Sequence, residues 1–257
     1  MRHNAVKEKV LRGEPSIGAA ISFPSPELVE LYGLIGFEWI FIDAEHGPIG
    51  YPECQAMVRA CDAHGLSSIV RVPKLDHSLI AKYLETGALG VAVPHINTPE
   101  QARAVVDAAR YVPEGRRGCD AGASRSSAYN LIESPTEYFA HSNRELLVAV
   151  WVEEVEGMKN LDAILKVPGV DAVHFGPGDL ALSMGLPGGT DHPAVKAALA
   201  EGRQKVRAAG KALIGEPSDV ATARAYLAEG VQLVSTQVTA MLTNTARAYL
   251  AELKGQV

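Results

Sequence analysis

The sequence predicts an α/β protein built as a single (β/α)8 TIM barrel, and three observations support this. Short apolar runs alternate with helical patterns almost from end to end, the rhythm of a parallel sheet covered by helices. Eight such runs occur without a break in composition, so 1–257 reads as one domain. The length of 257 residues is that of a single barrel. An open doubly wound sheet would want a glycine-rich phosphate turn straight after the first strand, and Ser22-Phe-Pro-Ser-Pro26 is not one.

In chain order the strands are expected at 17–23, 39–43, 67–72, 89–94, 146–153, 170–176, 211–215 and 232–236. Helices are expected between them. Over 98–110, Ala102, Val105, Val106 and Ala109 recur at helical spacing behind Thr98 as N-cap and Pro99 at the first helical position. The stretch 113–135 lies between a helix and a strand, where about 2–6 residues would suffice. It is rich in Gly, Ser, Arg and Ala, which suits either a mobile loop or a segment packed against a neighbouring subunit.

Composition narrows the function classes. The 47% hydrophobic content is spread over short runs, none near the roughly 20 apolar residues of a membrane span. The start, MRHNAVKEKVLRGEP, has no apolar signal core, so a cytoplasmic protein without a membrane partner is expected. Net charge is −6 with basic residues scattered, which argues against nucleic acid. Cys54 and Cys61 fall seven residues apart on one expected helix, roughly 10 Å in rise and too far for a disulfide. With Cys119 alone in a loop, free thiols are expected.

Barrel active sites gather at the C-terminal ends of the strands, so polar residues there carry weight. The stretch Phe37-Glu-Trp-Ile-Phe-Ile-Asp-Ala-Glu-His-Gly-Pro48 runs from an apolar strand into Asp43, Glu45 and His46. Arg71 ends strand three, His95 follows strand four, Glu153 ends strand five, and Gly176-Pro-Gly-Asp-Leu180 follows strand six. Neighbouring strands lie about 4.8 Å apart, so Glu153 and Asp179 can place carboxylate oxygens on one cation. Two carboxylates without Cys favour a hard ion such as Mg²⁺ or Mn²⁺. Each acid also has a plainer use, Asp179 as a helix N-cap and Glu153 in a first helical turn.

Arg71 suits an oxyanion or carboxylate. His46, three residues after Asp43, has the makings of a general base whose tautomer a carboxylate fixes. His95 is a second candidate on the rim. His174, inside a strand, reads as a packed core residue, and His3, His64, His77, His141 and His192 receive no role. Imine chemistry would need a desolvated lysine at a strand's C-terminal end. Lys211 starts its strand and Lys74 is the only near candidate, so that reading is weaker.

These residues resemble the class II, metal-dependent pyruvate aldolases of the 4-hydroxy-2-oxoheptanedioate and 2-dehydro-3-deoxyglucarate type. The matching stretches are Gly36 to Pro48, Val70-Arg-Val-Pro73, Ala88 to Pro94 with Asn97-Thr98, Arg110 to Gly118, Glu153 with Glu156 to Leu161, and Gly176 to Leu180. The resemblance implies a barrel binding Mg²⁺, Mn²⁺ or Co²⁺ through Glu153 and Asp179. It implies a homo-hexamer, a trimer of dimers, exchanging C-terminal helices. It also implies substrate contacts from Arg71, the position of Trp151, and the backbone amides of Gly178 and Asp179. His46 would be the base, Asp43 its orienting acid, and Glu45 would hold a metal-bound water.

The sequence departs from the pattern at three places. Trp151 stands where many relatives have Gln, Ala20 where some have an aromatic residue, and Glu85 where a shorter acid is common. The expected reaction is reversible cleavage of a 4-hydroxy-2-oxo acid to pyruvate, or a close analogue, and an aldehyde. Two alternatives stand beside it: citrate-synthase-like condensation of oxaloacetate with an acyl-CoA, and a non-catalytic keto-acid-binding barrel.

Overall fold

The computed structural model describes residues 2–119 and 124–255. Eight parallel strands close into one barrel in sequence order: β1 (Ser16–Ile21), β2 (Trp39–Asp43), β3 (Ser67–Arg71), β4 (Gly90–Val93), β5 (Leu147–Trp151), β6 (Ala172–His174), β7 (Ala212–Gly215) and β8 (Leu233–Gln237). Each lies on a run the sequence marked. Strands four, five and six are shorter than expected, because the residues past their last ladder pairs belong to the loops that carry the site.

The helices are α1 (Ala5–Leu11), α2 (Pro26–Ile35), α3 (Tyr51–Ala63), α4 (His77–Leu84), α5 (Pro99–Ala109), α6 (Pro135–Glu145), α7 (Val155–Lys159), α8 (Leu161–Ile164), α9 (Pro177–Ser183), α10 (Pro193–Ala208), α11 (Val220–Ala228) and α12 (Val238–Leu253). Thr98 caps α5 as expected, in a capping box with Gln101 and with Pro99 in the first turn.

Strand residues alternate between two cores. Ala20, Trp39, Phe41, Ile69, Ala92, Leu147, Ala149, Trp151, Ala172, Ala212, Ile214 and Leu233 fill the barrel, while Ile40, Ile42, Val70, Val91, Val148 and Val150 face the helices. Filling the barrel takes large side chains opposite small ones. A Cβ on Gly18 would lie 2.3 Å from the Trp39 ring, so that glycine is the space the indole occupies.

The N-terminal end is closed by α1, whose Val6 joins the interior cluster. Cys54 and Cys61 are buried free thiols on α3, and Cys119 is an exposed one. Burial pushes the Cys54 thiol up to about 12. Part of the long 113–135 stretch packs on its own chain: Arg125 pairs with Asp62 and donates to the Thr86 carbonyl, and Tyr138 donates to Ser126 at 2.8 Å. Residues 120–123 of that stretch lie outside the described residues. Among the described residues no helix is long and apolar enough to cross a membrane.

Candidate active site

At the C-terminal rim, register pairs Asp43 with Arg71 on adjacent strands. The guanidinium grips the carboxylate through two bonds, Nε to Oδ1 at 2.9 Å and Nη2 to Oδ2 at 2.6 Å. Burial would raise Asp43, but Arg71 and the two backbone N–H donors hold its carboxyl below the usual range. Burial works against the Arg71 cation too, and Asp43 outweighs it. The guanidinium sits 5.6 Å above the Phe41 ring and 5.9 Å from that of Trp151, which form a stacked floor.

Beyond β2 the chain turns on Asp43, whose Oδ1 also accepts the N–H groups of Glu45 (3.1 Å) and His46 (3.2 Å). Gly47 completes this turn, since a Cβ there would meet the Ser22 carbonyl oxygen at 2.3 Å. Asp43 therefore places His46 through its backbone. The acid beside the imidazole is Glu45, 3.7 Å from Nε2, rather than Asp43, whose oxygens are taken by Arg71 and the turn. The His46 side chain is 63% exposed on the rim.

Glu45 is the hub of this corner. It reaches Arg71 at 3.1 Å, His46 at 3.7 Å and His95 at 3.5 Å. Burial raises its carboxyl above the usual range against the pull of Arg71 and both histidines.

Glu153 is 2% exposed just past β5. Its Oε1 accepts the His95 backbone N–H at 3.0 Å. Burial raises its carboxyl, with Asp179 and Glu45 adding repulsion. A Cβ built on Gly176 would stand 2.5 Å from Glu153 Oε2 and 3.5 Å from Asp179 Oδ2, so both acids converge on the space this glycine leaves. That cradle, with hard oxygen donors and two like charges, one buried and one half-buried, fits a divalent cation. Among the described residues no three or more His, Cys, Asp or Glu gather as a ligand set, so a cation here would have two protein ligands and positions left for water and substrate. Gly178 and Asp179 lie in the first turn of α9, where no side chain caps the backbone N–H groups.

The rim thus gathers Asp43, Glu45, Arg71, His95 and Glu153 around one corner, with Asp179 beside Glu153 and His46 at the edge. Trp151 is buried below them, and its ring contacts are Phe41 and His174. His174 is buried as expected, Nδ1 donating to the Ile214 carbonyl at 3.1 Å. Lys74 is exposed and Lys211 Nζ bonds the Val170 carbonyl. Glu85 lines a separate surface depression with Tyr51, His77, Lys82 and Cys119.

Two further polar residues, Glu216 and Gln237, stand at strand ends on this rim, as Arg71 does. Glu216 follows β7 and Gln237 ends β8, and the Gln237 amide donates to Glu216 at 3.1 Å. Glu154, which bonds His95 Nδ1 at 3.0 Å and Asn97 at 2.9 Å, had no signal beyond its place after Glu153.

Residues 21–246 match the family model described as HpcH/HpaI aldolase/citrate lyase. The chain belongs to that family. It is 37% identical over 243 residues to the 2-keto-3-deoxy-L-rhamnonate aldolase of Klebsiella pneumoniae, covering 95% of this chain and 90% of that one. It is 37% identical over 252 residues to a hydroxypyruvate/pyruvate aldolase of Deinococcus radiodurans, covering 98% and 90%. Among solved structures, an HpcH/HpaI aldolase/citrate lyase family protein from Burkholderia cenocepacia superposes with a TM-score of 0.91 at 31% identity, covering 98% and 99%. The citrate synthase SbnG superposes at 0.87 with 27% identity, covering 97% of each. The chain is an enzyme, a lyase of the aldolase type, and this removes the reading as a non-catalytic binding barrel.

Proposed function

We propose that this lyase reversibly cleaves a 4-hydroxy-2-oxo acid to pyruvate, or a close analogue, and an aldehyde, and that it needs a divalent cation. The observation that carries the reading is the convergence of Glu153 and Asp179 on Gly176, with β4 between them and the Arg71–Asp43 pair. Both relatives named above are aldolases. Glu153 and Asp179 would hold Mg²⁺, Mn²⁺ or Co²⁺, and a cation bound there would supply positive charge to polarise the 2-oxo carbonyl.

The chain's own residues do the rest. Arg71, kept charged and fixed by Asp43, offers guanidinium N–H groups to the oxygen that gains charge as the C3–C4 bond breaks. The N–H groups of Gly178 and Asp179 bind the substrate carboxylate at the start of α9. His46 takes the C4 hydroxyl proton in cleavage and returns it to the aldehyde oxygen in synthesis. Glu45, 3.7 Å from the imidazole, helps to orient it. Trp151 and Phe41 keep water from beneath Arg71.

Condensation of oxaloacetate with an acyl-CoA is the second reading. Trp151, which stands where the family resemblance implies a polar substrate contact, and the likeness to a citrate synthase favour it. We assign the protein to the cytoplasm and to a homo-hexamer in which C-terminal helices are exchanged. The outer face of α12, with Met241, Leu242, Tyr249, Leu250 and Leu253 exposed, supports that assembly.

The test is pyruvate release from a panel of 4-hydroxy-2-oxo acids and oxaloacetate with Mn²⁺ or Mg²⁺, repeated after chelation. Release that stops on chelation and returns with metal is the expected result. No release from any of them moves the assignment to the acyl-CoA reaction.

A further inference from the structure

His95 is the one residue of the barrel rim, among those described, that holds a left-handed backbone without being glycine, with φ +56°. The other non-glycine residues in that region are Ala128, Tyr129 and Asn130, in the segment before α6. Side chains avoid this conformation, so something in the fold must compensate for it. The geometry shows what. Turned this way after Pro94, the chain aims the His95 N–H at Glu153 Oε1, 3.0 Å away, and the next N–H, of Ile96, at the Trp151 carbonyl, 2.9 Å away. The imidazole lies across Glu154 (Nδ1, 3.0 Å) and toward Glu45 (Nε2, 3.5 Å), and its Nδ1 is 3.4 Å from Glu153 Oε1, farther than the backbone N–H that donates to the same oxygen. Asn97 holds Glu154 from its other oxygen at 2.9 Å.

The two oxygens of Glu153 therefore differ in their surroundings. Oε1 is occupied by the His95 N–H, while Oε2 is the oxygen beside Gly176, on the side of Asp179. We infer that His95 is a positioning residue for the metal site: its left-handed backbone caps one oxygen of Glu153 and leaves the other as a single, fixed ligand facing Asp179. The inference rests on the proposed reading of Glu153 and Asp179 as cation ligands. A carboxylate held to one oxygen leaves coordination positions open for a 2-oxo acid that binds through two oxygens. The sequence shows the histidine but not this role, which belongs to its main chain.

The role separates from any chemistry of the ring because two substitutions remove the ring and differ only in backbone freedom. Glycine adopts positive φ freely, whereas a β-branched residue resists it and turns the N–H away. The experiment is calorimetric titration of the full-length, metal-stripped protein with Mn²⁺, for wild type, His95→Gly and His95→Val. His95→Gly is expected to bind within about threefold of wild type. His95→Val is expected to bind about 10- to 100-fold more weakly, the usual effect of losing a partner that orients a metal ligand.

Equal affinities for Gly and Val would overturn the inference, as would a loss in Gly as large as in Val, which would assign the effect to the ring. If His95→Val does not fold, His95→Ala and His95→Asn replace it. Asn tolerates the left-handed region better than Ala and should bind more tightly. The reverse order overturns the inference. Wild type that binds no Mn²⁺ defeats the cation reading itself, so that failure is distinct from a failure of the positioning role.

Discussion

The two ends of the barrel both bury charge, and they do so differently. At the N-terminal end, Lys7 donates to the Leu146 carbonyl at 2.6 Å and lies 3.7 Å from Asp171, whose Oδ2 also accepts from Arg110 at 2.9 Å and from the Val148 N–H at 2.8 Å. Burial lowers the Lys7 ammonium and Asp171 works to restore it. Glu145 nearby accepts from the Asn4 N–H, from Arg144 and from His3. Acids there meet cations. At the C-terminal end, Asp43, Glu45, Glu153, Glu154 and Asp179 crowd a rim where, among the described residues, the permanent cation is Arg71, which pairs with Asp43 and Glu45 and leaves the other three acids without one. Paired burial builds a floor; surplus negative charge in a cradle builds a place for something positive. The imbalance, more than burial itself, separates a site from a scaffold.

The comparison breaks first at the acids. Replacing Asp179 by Ala should lower kcat/KM for pyruvate release by roughly 10³-fold, since it removes half of the cation's protein ligands and with it several kcal/mol of charge stabilisation. Activity assayed at saturating Mn²⁺ checks this, and unaltered turnover would disprove the ligand assignment.

Next comes a pair of substitutions at opposite ends. Arg71→Met leaves Asp43 buried without its cation and should cost about 3–5 kcal/mol of stability as well as activity. Lys7→Met leaves Asp171 still paired with Arg110, so it should cost only about 1–3 kcal/mol and leave kcat/KM unchanged. Urea denaturation and steady-state kinetics on both variants test the contrast. A Lys7 variant that lost activity would show that the two ends are not separate.

A pH test addresses the layer between the ends. Burial keeps His174 neutral, its titration lowered from the ordinary value of 6.5, with Glu216 pulling the other way and Arg71 reinforcing it. The unfolded chain then binds more protons than the native one below that value. Stability is complete above about pH 6.5 and declines as pH falls toward the folded-state value. Denaturation midpoints between pH 7.5 and 5 should fall less steeply in His174→Gln than in wild type.

The smallest effect concerns the ends of β7 and β8, where Glu216 accepts from Gln237. Glu216→Gln should improve turnover of aldehydes that carry a carboxylate by roughly tenfold relative to neutral ones, the effect of one charge about 10 Å away at an effective dielectric near 20. Synthesis assays with paired neutral and acidic aldehydes measure it.

The strands were legible because a buried parallel strand writes itself as an apolar run, and Asp43, Arg71, Glu153 and Asp179 were legible because polar residues at the ends of such runs are conspicuous. Glu216 and Gln237 were equally legible by that rule. Partnership was not. Nothing in the spacing of Asp43, Glu45 and His46 says that Asp43 turns to Arg71 and the backbone while Glu45 stands by the imidazole, because that choice follows from the register of β2 against β3.

The sequence by itself determined the (β/α)8 barrel, the rim on which chemistry collects and the residue types available there. These follow from periodicities a few residues long, and local sterics and burial enforce them. Only the tertiary structure decided that Glu153 meets the N–H of His95 on one oxygen and the Gly176 space on the other. Closing eight strands into a ring brings residues 58 apart in the chain to 3.0 Å, and hydrogen bonds and charges depend on such distances rather than on sequence spacing.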